Sequence, residues 1–374
     1  MRLGIDLTAL WRPVTGKARV AIELTRAMLN IDLKNEYVLF FAGEVHPVFR
    51  DLATGFKPVV LRSRSELLCK HAILPFLPIL RSLDFLYFPV FPPPLWCPCP
   101  YGWAMPDATA WLYPETMTVH GKLYFKLLGS HAMRKCRLII TDTEASRSDL
   151  RRIFGARAEK VRVNHPGKSH TFRPIQQAAI LDRVRTKYHL PDEFVLCVAT
   201  LEPRKNMRRL IQAFAMLKSD CDFRPSLVIT GGNGWLYKPI LSEVSSLGLE
   251  KAVVFTGYVS DEELIALYNM ARVFVYPSLY EGFGLPCLEA MASGCPVVTS
   301  DRGALLEVTQ DAALHAEPEN IEQIAEMIRK AHENEALRRE LTQRGLHRSK
   351  TFSWEMYAEQ FLKIVEEQVI LNAS

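Results

Sequence analysis

The stretch Val273-Phe274-Val275-Tyr276-Pro277-Ser278-Leu279-Tyr280-Glu281-Gly282-Phe283-Gly284-Leu285-Pro286-Cys287-Leu288-Glu289-Ala290 decides how this chain is read. Four β-prone apolar residues end at Pro277, and a glycine-bearing turn follows. Pro286 then stands where a helix can begin, because the first helical turn has no use for the N–H that proline lacks. A turn of this kind presents unpaired backbone N–H groups and the positive end of a helix dipole, so an anion is its natural guest. Glu281 lies in the turn and Glu289 in the new helix. A carboxylate can accept two hydrogen bonds from a diol, so these acids suit a hydroxyl-rich ligand. Together the features point to a phosphate-bearing sugar. The plainer alternative is a capped strand-to-helix turn carrying two solvated acids.

Around this stretch the second half of the chain alternates regularly. Strands are expected at 194–199, 226–230, 253–257, 273–277 and 296–299, with helices at 206–218, 238–247, 261–270 and 285–293 between them. Regular β/α alternation with short connections means a doubly wound parallel sheet, in which ligands sit at the carboxyl ends of the strands. Helices at 320–333, at 335–349 and from 353 follow. The first half opens with a βαβ unit: a strand at the start, a turn from Thr8 to Gly16, a helix through Leu29 and a strand at 37–41. Residues 58–104 are apolar, aromatic and proline-rich and read as irregular. Lys122 to Arg137 reads as a basic helix with Leu123, Leu127 and Leu128 on one side, either packed on a sheet or lying on an anionic membrane. Strands at 137–142 and from 161 follow, with a helix through Phe154 between them. The domain boundary is placed near 172–192.

Composition sets limits. The chain has 374 residues, 48% hydrophobic and 23% charged, which fits two globular domains. Asp6 interrupts what would be the apolar core of a signal peptide, and prolines break the most apolar segments, so neither a leader nor a membrane span is expected. The eight cysteines lack a C-x-x-C pair and read as reduced thiols rather than a zinc site. The net charge of +5 hides an asymmetry: residues 1–175 hold 25 Lys+Arg against 14 Asp+Glu. A basic first half suits an anionic membrane surface or a phosphorylated lipid; no nucleic-acid partner is expected.

Two further turns join the first. Thr200-Leu201-Glu202-Pro203-Arg204-Lys205-Asn206 leaves a strand and enters a helix, carrying two cations suited to a diphosphate. Gly231-Gly232-Asn233-Gly234 follows another strand and lets backbone approach a ligand.

Together these turns resemble the retaining glycosyltransferases of family four, mannosyltransferase-like and of the group 1 type. The marks are the Glu281/Glu289 pair within Glu-Gly-Phe-Gly-Leu-Pro-x-x-Glu-Ala, Glu-Pro-Arg-Lys-Asn at 202–206, Phe255 to Ser260, and Gly294-Cys295-Pro296-Val297-Val298. The resemblance implies the GT-B fold: two Rossmann-like, doubly wound α/β domains facing across a cleft. Residues 1–175 would bind the acceptor and 190–352 the nucleotide-sugar donor, with a final helix at about 353–371 packing back on the first domain. Arg204 and Lys205, with Gly16, would hold the donor diphosphate. Glu281, Gly282, Phe283, Gly284 and Leu285 would hold the donor sugar, Glu289 the ribose, and Tyr258 and Val259 would lie beside the base. Glu281 and Asp107 are the catalytic candidates. The family often has His-Asp where this chain has Pro106-Asp107, so the imidazole is missing.

The implied reaction is metal-independent transfer of a sugar, first mannose from GDP-mannose, to a hydroxyl of a glycan or lipid-linked oligosaccharide. The implied location is cytoplasmic or on the inner face of the cell membrane. A GT-B sugar-nucleotide epimerase and a non-catalytic GT-B partner protein are the rival readings. A dehydrogenase is disfavoured because no G-x-G-x-x-G follows the first strand.

Overall fold

The structure, a computed structural model, describes residues 1–10, 16–50, 55–175 and 177–373. The chain divides into two compact units. One comprises Met1–Leu112, Val119–Gly167 and Phe352–Ser374; the other comprises Tyr113–Thr118 and Lys168–Thr351.

The first unit is built on seven parallel strands: β1 (Arg2–Asp6), β2 (Glu36–Ala42), β3 (Phe56–Leu61), β4 (Phe85–Phe88), β5 (Tyr101–Ala104), β6 (Leu138–Thr141) and β7 (Val161–Val163). Their order is β3-β2-β1-β4-β5-β6-β7. Leu3 pairs with Tyr37 on one side and with Phe85 on the other. The direction of strand addition therefore reverses between β1 and β4, the switch point at which such sheets gather ligands. Three of these strands fall wholly or mostly within the region read as irregular, and that expectation is corrected. The strands β4 and β5 are only four residues long and fully buried, so they show no alternation. The edge strand β3 accommodates Pro58, as edge strands can.

Helix Gly16–Ile31 buries Ala18, Ala21, Ile22, Leu24, Thr25, Ala27 and Met28, the spacing of one helical face. It shares a core with the final helix, Trp354–Ala373, which contributes Trp354, Tyr357, Ala358, Phe361, Ile364 and Val365. Phe361 packs on Tyr87 of β4 with ring centroids 4.6 Å apart. The Asn164 side chain donates to the Tyr357 carbonyl at 2.9 Å.

Helical structure runs from Val119 to Lys135 rather than from 122 to 137, and it is not regular. A π segment, Phe125–Gly129, separates Val119–Tyr124 from Ser130–Lys135. Val119, Leu123 and Leu127 are 71%, 56% and 61% exposed, so this apolar side does not pack on the sheet.

The second unit has six parallel strands: β8 (Phe194–Val198), β9 (Ser226–Thr230), β10 (Val253–Gly257), β11 (Val273–Tyr276), β12 (Val297–Ser300) and β13 (Ala313–Ala316), in the order β10-β9-β8-β11-β12-β13. Here the switch point lies between β8 and β11, where Val273 pairs with Val195. Helix Asp261–Met270 starts with a capping box between Ser260 and Glu263. Among the described residues, no helix is long and apolar enough to cross a membrane.

Candidate active site

At the switch point of the second unit the turns after β8 and β11 are stitched together. Asn206 takes a left-handed conformation (φ 60°) that ends the short helix Pro203–Lys205 and starts helix Met207–Lys218. Its side-chain amide donates to the carbonyls of Pro277 and Pro318 at 2.9 and 2.5 Å. The Leu279 N–H and the Ser278 hydroxyl both donate to the Arg204 carbonyl, at 2.9 and 3.1 Å. The left-handed turn at Asn206 and these side-chain-to-backbone bonds thus set Arg204 and Lys205 beside Glu281.

The three side chains form one network. Arg204 contacts Glu281 Oε2 at 2.9 Å and Glu202 Oε1 at 2.7 Å, and donates to the Tyr280 carbonyl at 2.7 Å. Lys205 Nζ lies 2.6 Å from Glu281 Oε1 and 2.6 Å from the Tyr276 hydroxyl. Glu281 Oε1 also accepts from Tyr276 at 3.0 Å and Ser278 at 2.5 Å. The Glu281 side chain is 9% exposed, so it is not a solvated acid. Burial would raise its pKa, but the charges of Arg204 and Lys205 outweigh burial and hold it at about 2. Burial and the like charge of Arg204 lower the pKa of Lys205, against the pull of Glu281 and Glu202. Glu281 stays ionised because two cations and the hydroxyls of Tyr276 and Ser278 meet its carboxylate.

Helix Leu285–Ala292 begins next to this network. Gly284 caps it at φ 101°, and a Cβ there would lie 2.5 Å from Leu305 Cδ2. Only glycine suits that corner. Gly282, Phe283 and Gly284 are buried at the helix N-terminus, and Leu285 and Pro286 are half-buried. Glu289 is buried in the same helix and accepts from the Tyr268 hydroxyl at 3.3 Å. Tyr258 is 75% exposed just past β10, while its neighbour Val259 is buried.

The Gly231–Gly234 turn has a structural reason of its own. A Cβ on Gly231 would lie 2.0 Å from the Ala199 carbonyl oxygen. Leu201 N–H donates to the Gly232 carbonyl at 3.0 Å and Gly234 N–H to the Leu201 carbonyl at 3.1 Å.

Sequence reasoning passed over Tyr276, Ser278 and Glu202 as partners, and also Tyr113, whose ring stacks on Tyr280 at 5.2 Å. The pattern Tyr276-x-Ser278-x-x-Glu281 could have flagged the first two, since all three side chains leave one turn. No local signal brings Tyr113 to Tyr280.

In the first unit, Asp107 follows β5. Its Oδ1 accepts from the Thr109 N–H at 2.9 Å, and the Pro106 carbonyl accepts from the Thr141 hydroxyl at 3.2 Å. Gly16 is exposed at the start of its helix, with open space where a Cβ would be. Thr15, which precedes it in the turn read from Thr8 to Gly16, lies outside the described residues.

Residues 182–348 match the family described as glycosyl transferases group 1. O-antigen chain mannosyltransferase B of Escherichia coli is 39% identical over 250 residues, 67% of this chain and 65% of that protein. Serotype-specific mannosyltransferase WbdA of Escherichia coli is 40% identical over 182 residues, 46% of this chain and 22% of that protein. The chain thus spans less than two thirds of these relatives. Among solved structures, HepE of Anabaena in complex with UDP and glucose has a TM-score of 0.76 at 18% identity, covering 98% of this chain and 99% of that one. The two doubly wound sheets are those of the GT-B fold.

Proposed function

Because this chain belongs to the group 1 glycosyl transferases, we propose that it is a retaining glycosyltransferase. It moves a sugar, first mannose from GDP-mannose, to a hydroxyl of a glycan or lipid-linked oligosaccharide. The observation that carries this reading is the Arg204–Glu281–Lys205 network at the N-terminus of helix Leu285–Ala292. When a nucleoside diphosphate leaves, negative charge develops on its phosphates. Fixed cations and helix N–H groups stabilise that charge with no reorganisation.

Arg204 and Lys205 both contact Glu281, so a diphosphate shares these cations with that carboxylate. We assign Glu281 to the donor sugar's hydroxyls. Releasing part of its hold on Lys205 lets the lysine turn to phosphate, and Tyr276 and Ser278 keep the carboxylate in place meanwhile. Glu289 suits the ribose diol and the Val259 region the base. The mannosyl donor rests on the relatives' mannosyltransferase names. The first unit takes the acceptor, with Asp107 near the reacting hydroxyl.

A membrane-resting first unit belongs to the same reading. Val119, Leu123 and Leu127 are exposed in this unit, as are Phe76 and Trp96, whose rings lie 5.8 Å apart. His131 Nε2 contacts the Leu95 carbonyl at 2.8 Å, joining that segment to the helix. Apolar side chains flanked by Lys122 and Lys126 suit an anionic bilayer interface.

The test is a panel of nucleotide sugars scored for thermal stabilisation and slow donor hydrolysis. GDP-mannose should stabilise the protein and be hydrolysed, and Glu281→Ala should lower turnover by at least about 100-fold. Stabilisation by none of the panel sinks the transferase reading. Binding without hydrolysis or transfer favours a non-catalytic protein, and donor conversion without acceptor an epimerase.

A further inference from the structure

The carboxyl ends of β5 and β6 lie side by side in the first unit. Ala104 pairs with Ile140, the Met105 N–H donates to the Ile140 carbonyl at 2.8 Å, and the Thr141 hydroxyl reaches the Pro106 carbonyl. Just past these contacts each strand places one aspartate, Asp107 and Asp142. Asp107 is fixed by the Thr109 N–H. Asp142 is only 8% exposed, and its carboxylate has no hydrogen-bond partner among the described residues. A mostly buried carboxyl that gives none of its oxygens to hydrogen bonds among the described residues has them available for a ligand.

Its surroundings are specific. Burial and the Asp107 charge push Asp142 up to about 8, while the Lys17 ammonium pulls it down. The other titratable neighbours that respond to it are Tyr87 of β4 and Tyr357 of the final helix. Lys17 extends from the first turn of its helix over the Phe125 ring, 5.1 Å from the centroid, and Phe91 lies 6.2 Å from Phe125. Two carboxyls, one cation and aromatic surface suit a neutral sugar better than a phosphate or a second acid.

We propose that Asp142 and Asp107 together bind the terminal sugar of the acceptor through a pair of its hydroxyls, making Asp142 an acceptor-site residue that no motif marks. This rests on the transferase reading above. At neutral pH Asp142 carries its proton, so it donates to one hydroxyl and accepts from another, while Asp107 offers its carboxyl oxygens beside it. With Pro106 in place of an imidazole, hydroxyl recognition in this part of the site falls to the two carboxyls.

The experiment uses the full chain with GDP-mannose as donor and octyl α-mannoside as acceptor. It compares the wild-type protein, Asp142→Ala and Asp142→Asn. Asp142→Ala should raise the acceptor KM by about 10-fold or more and leave GDP-mannose stabilisation and hydrolysis within about twofold. Asp142→Asn keeps both a donor and an acceptor, so its acceptor KM near pH 7 should stay within about threefold of wild type. Wild-type acceptor KM should rise as pH passes about 8, and that rise should vanish in Asp142→Asn. An unchanged acceptor KM in Asp142→Ala overturns the proposal, as does a wild-type pH profile in Asp142→Asn. If wild type neither binds nor hydrolyses GDP-mannose, the mannosyl transferase reading itself fails, and this inference with it.

Discussion

Glu281 joins the two cations that the sequence assigns to a ligand. Its folded pKa of about 2 lies below the unfolded carboxylate value near 4.5. The stabilisation it confers is therefore complete above about pH 4.5 and is lost as pH falls from there to about 2. Acid unfolding of wild type followed by circular dichroism should show this loss, and Glu281→Gln should flatten that segment of the curve. Tyr276→Phe removes one hydroxyl from between Lys205 and Glu281 while the ring keeps its stacking on Phe274. It should raise the donor KM by about 5- to 10-fold with roughly 1.5–3 kcal/mol lost in stability, as expected when a hydroxyl bonded to two charged groups is removed. A steady-state titration of GDP-mannose checks the first figure and urea unfolding the second. Arg204, Lys205, Glu281 and Glu289 stand out in the sequence because they lie in, or one helix turn beyond, readable strand-to-helix turns. That both cations would meet Glu281 rather than stand open could not be read there, because those ion pairs join turns more than seventy residues apart.

Among the elements, helix Leu285–Ala292 depends on its glycine cap. In Gly284→Ala the methyl both meets Leu305 and forces alanine to φ 101°. The cost should be about 2–3 kcal/mol in urea unfolding, with donor hydrolysis falling because the helix N-terminus shifts. The segment Val119–Lys135 makes a different prediction. Leu123→Ser with Leu127→Ser should leave thermal stability unchanged, since both side chains are exposed. The double variant should lose co-sedimentation with vesicles containing phosphatidylglycerol, and equal sedimentation of variant and wild type would remove the membrane from the reading. Its basic, leucine-bearing composition was visible in the sequence. The π segment and the outward-facing leucines were not, because helical spacing shows that a face is apolar and not what covers it. The strands β4 and β5 were missed for a related reason: four buried residues have no period to detect.

At the scale of the molecule, the final helix belongs to the core of the first unit although the chain reaches it only after building the second. Phe361→Ala should therefore destabilise the first unit by about 3–5 kcal/mol and leave the proposed donor binding by the second unit intact. Hydrogen exchange should show faster exchange in β1 and β4 and unchanged exchange in β8 and β11.

The alternation of apolar strands with amphipathic helices in the second half was enough to specify a doubly wound sheet, since each element carries its own period and its own punctuation. The Pro277–Ala290 stretch likewise dictated a strand, a glycine corner and a helix N-terminus, because those are local backbone choices. Tertiary structure alone decided which groups those local choices bring together. It set Tyr276, Ser278 and two cations around Glu281, stacked Tyr113 on Tyr280, and left the Asp142 carboxylate with no hydrogen-bond partner among the described residues, within electrostatic reach of Asp107 and Lys17. Such contacts depend on strand order and register across the sheet, and no stretch of sequence read by itself contains that order.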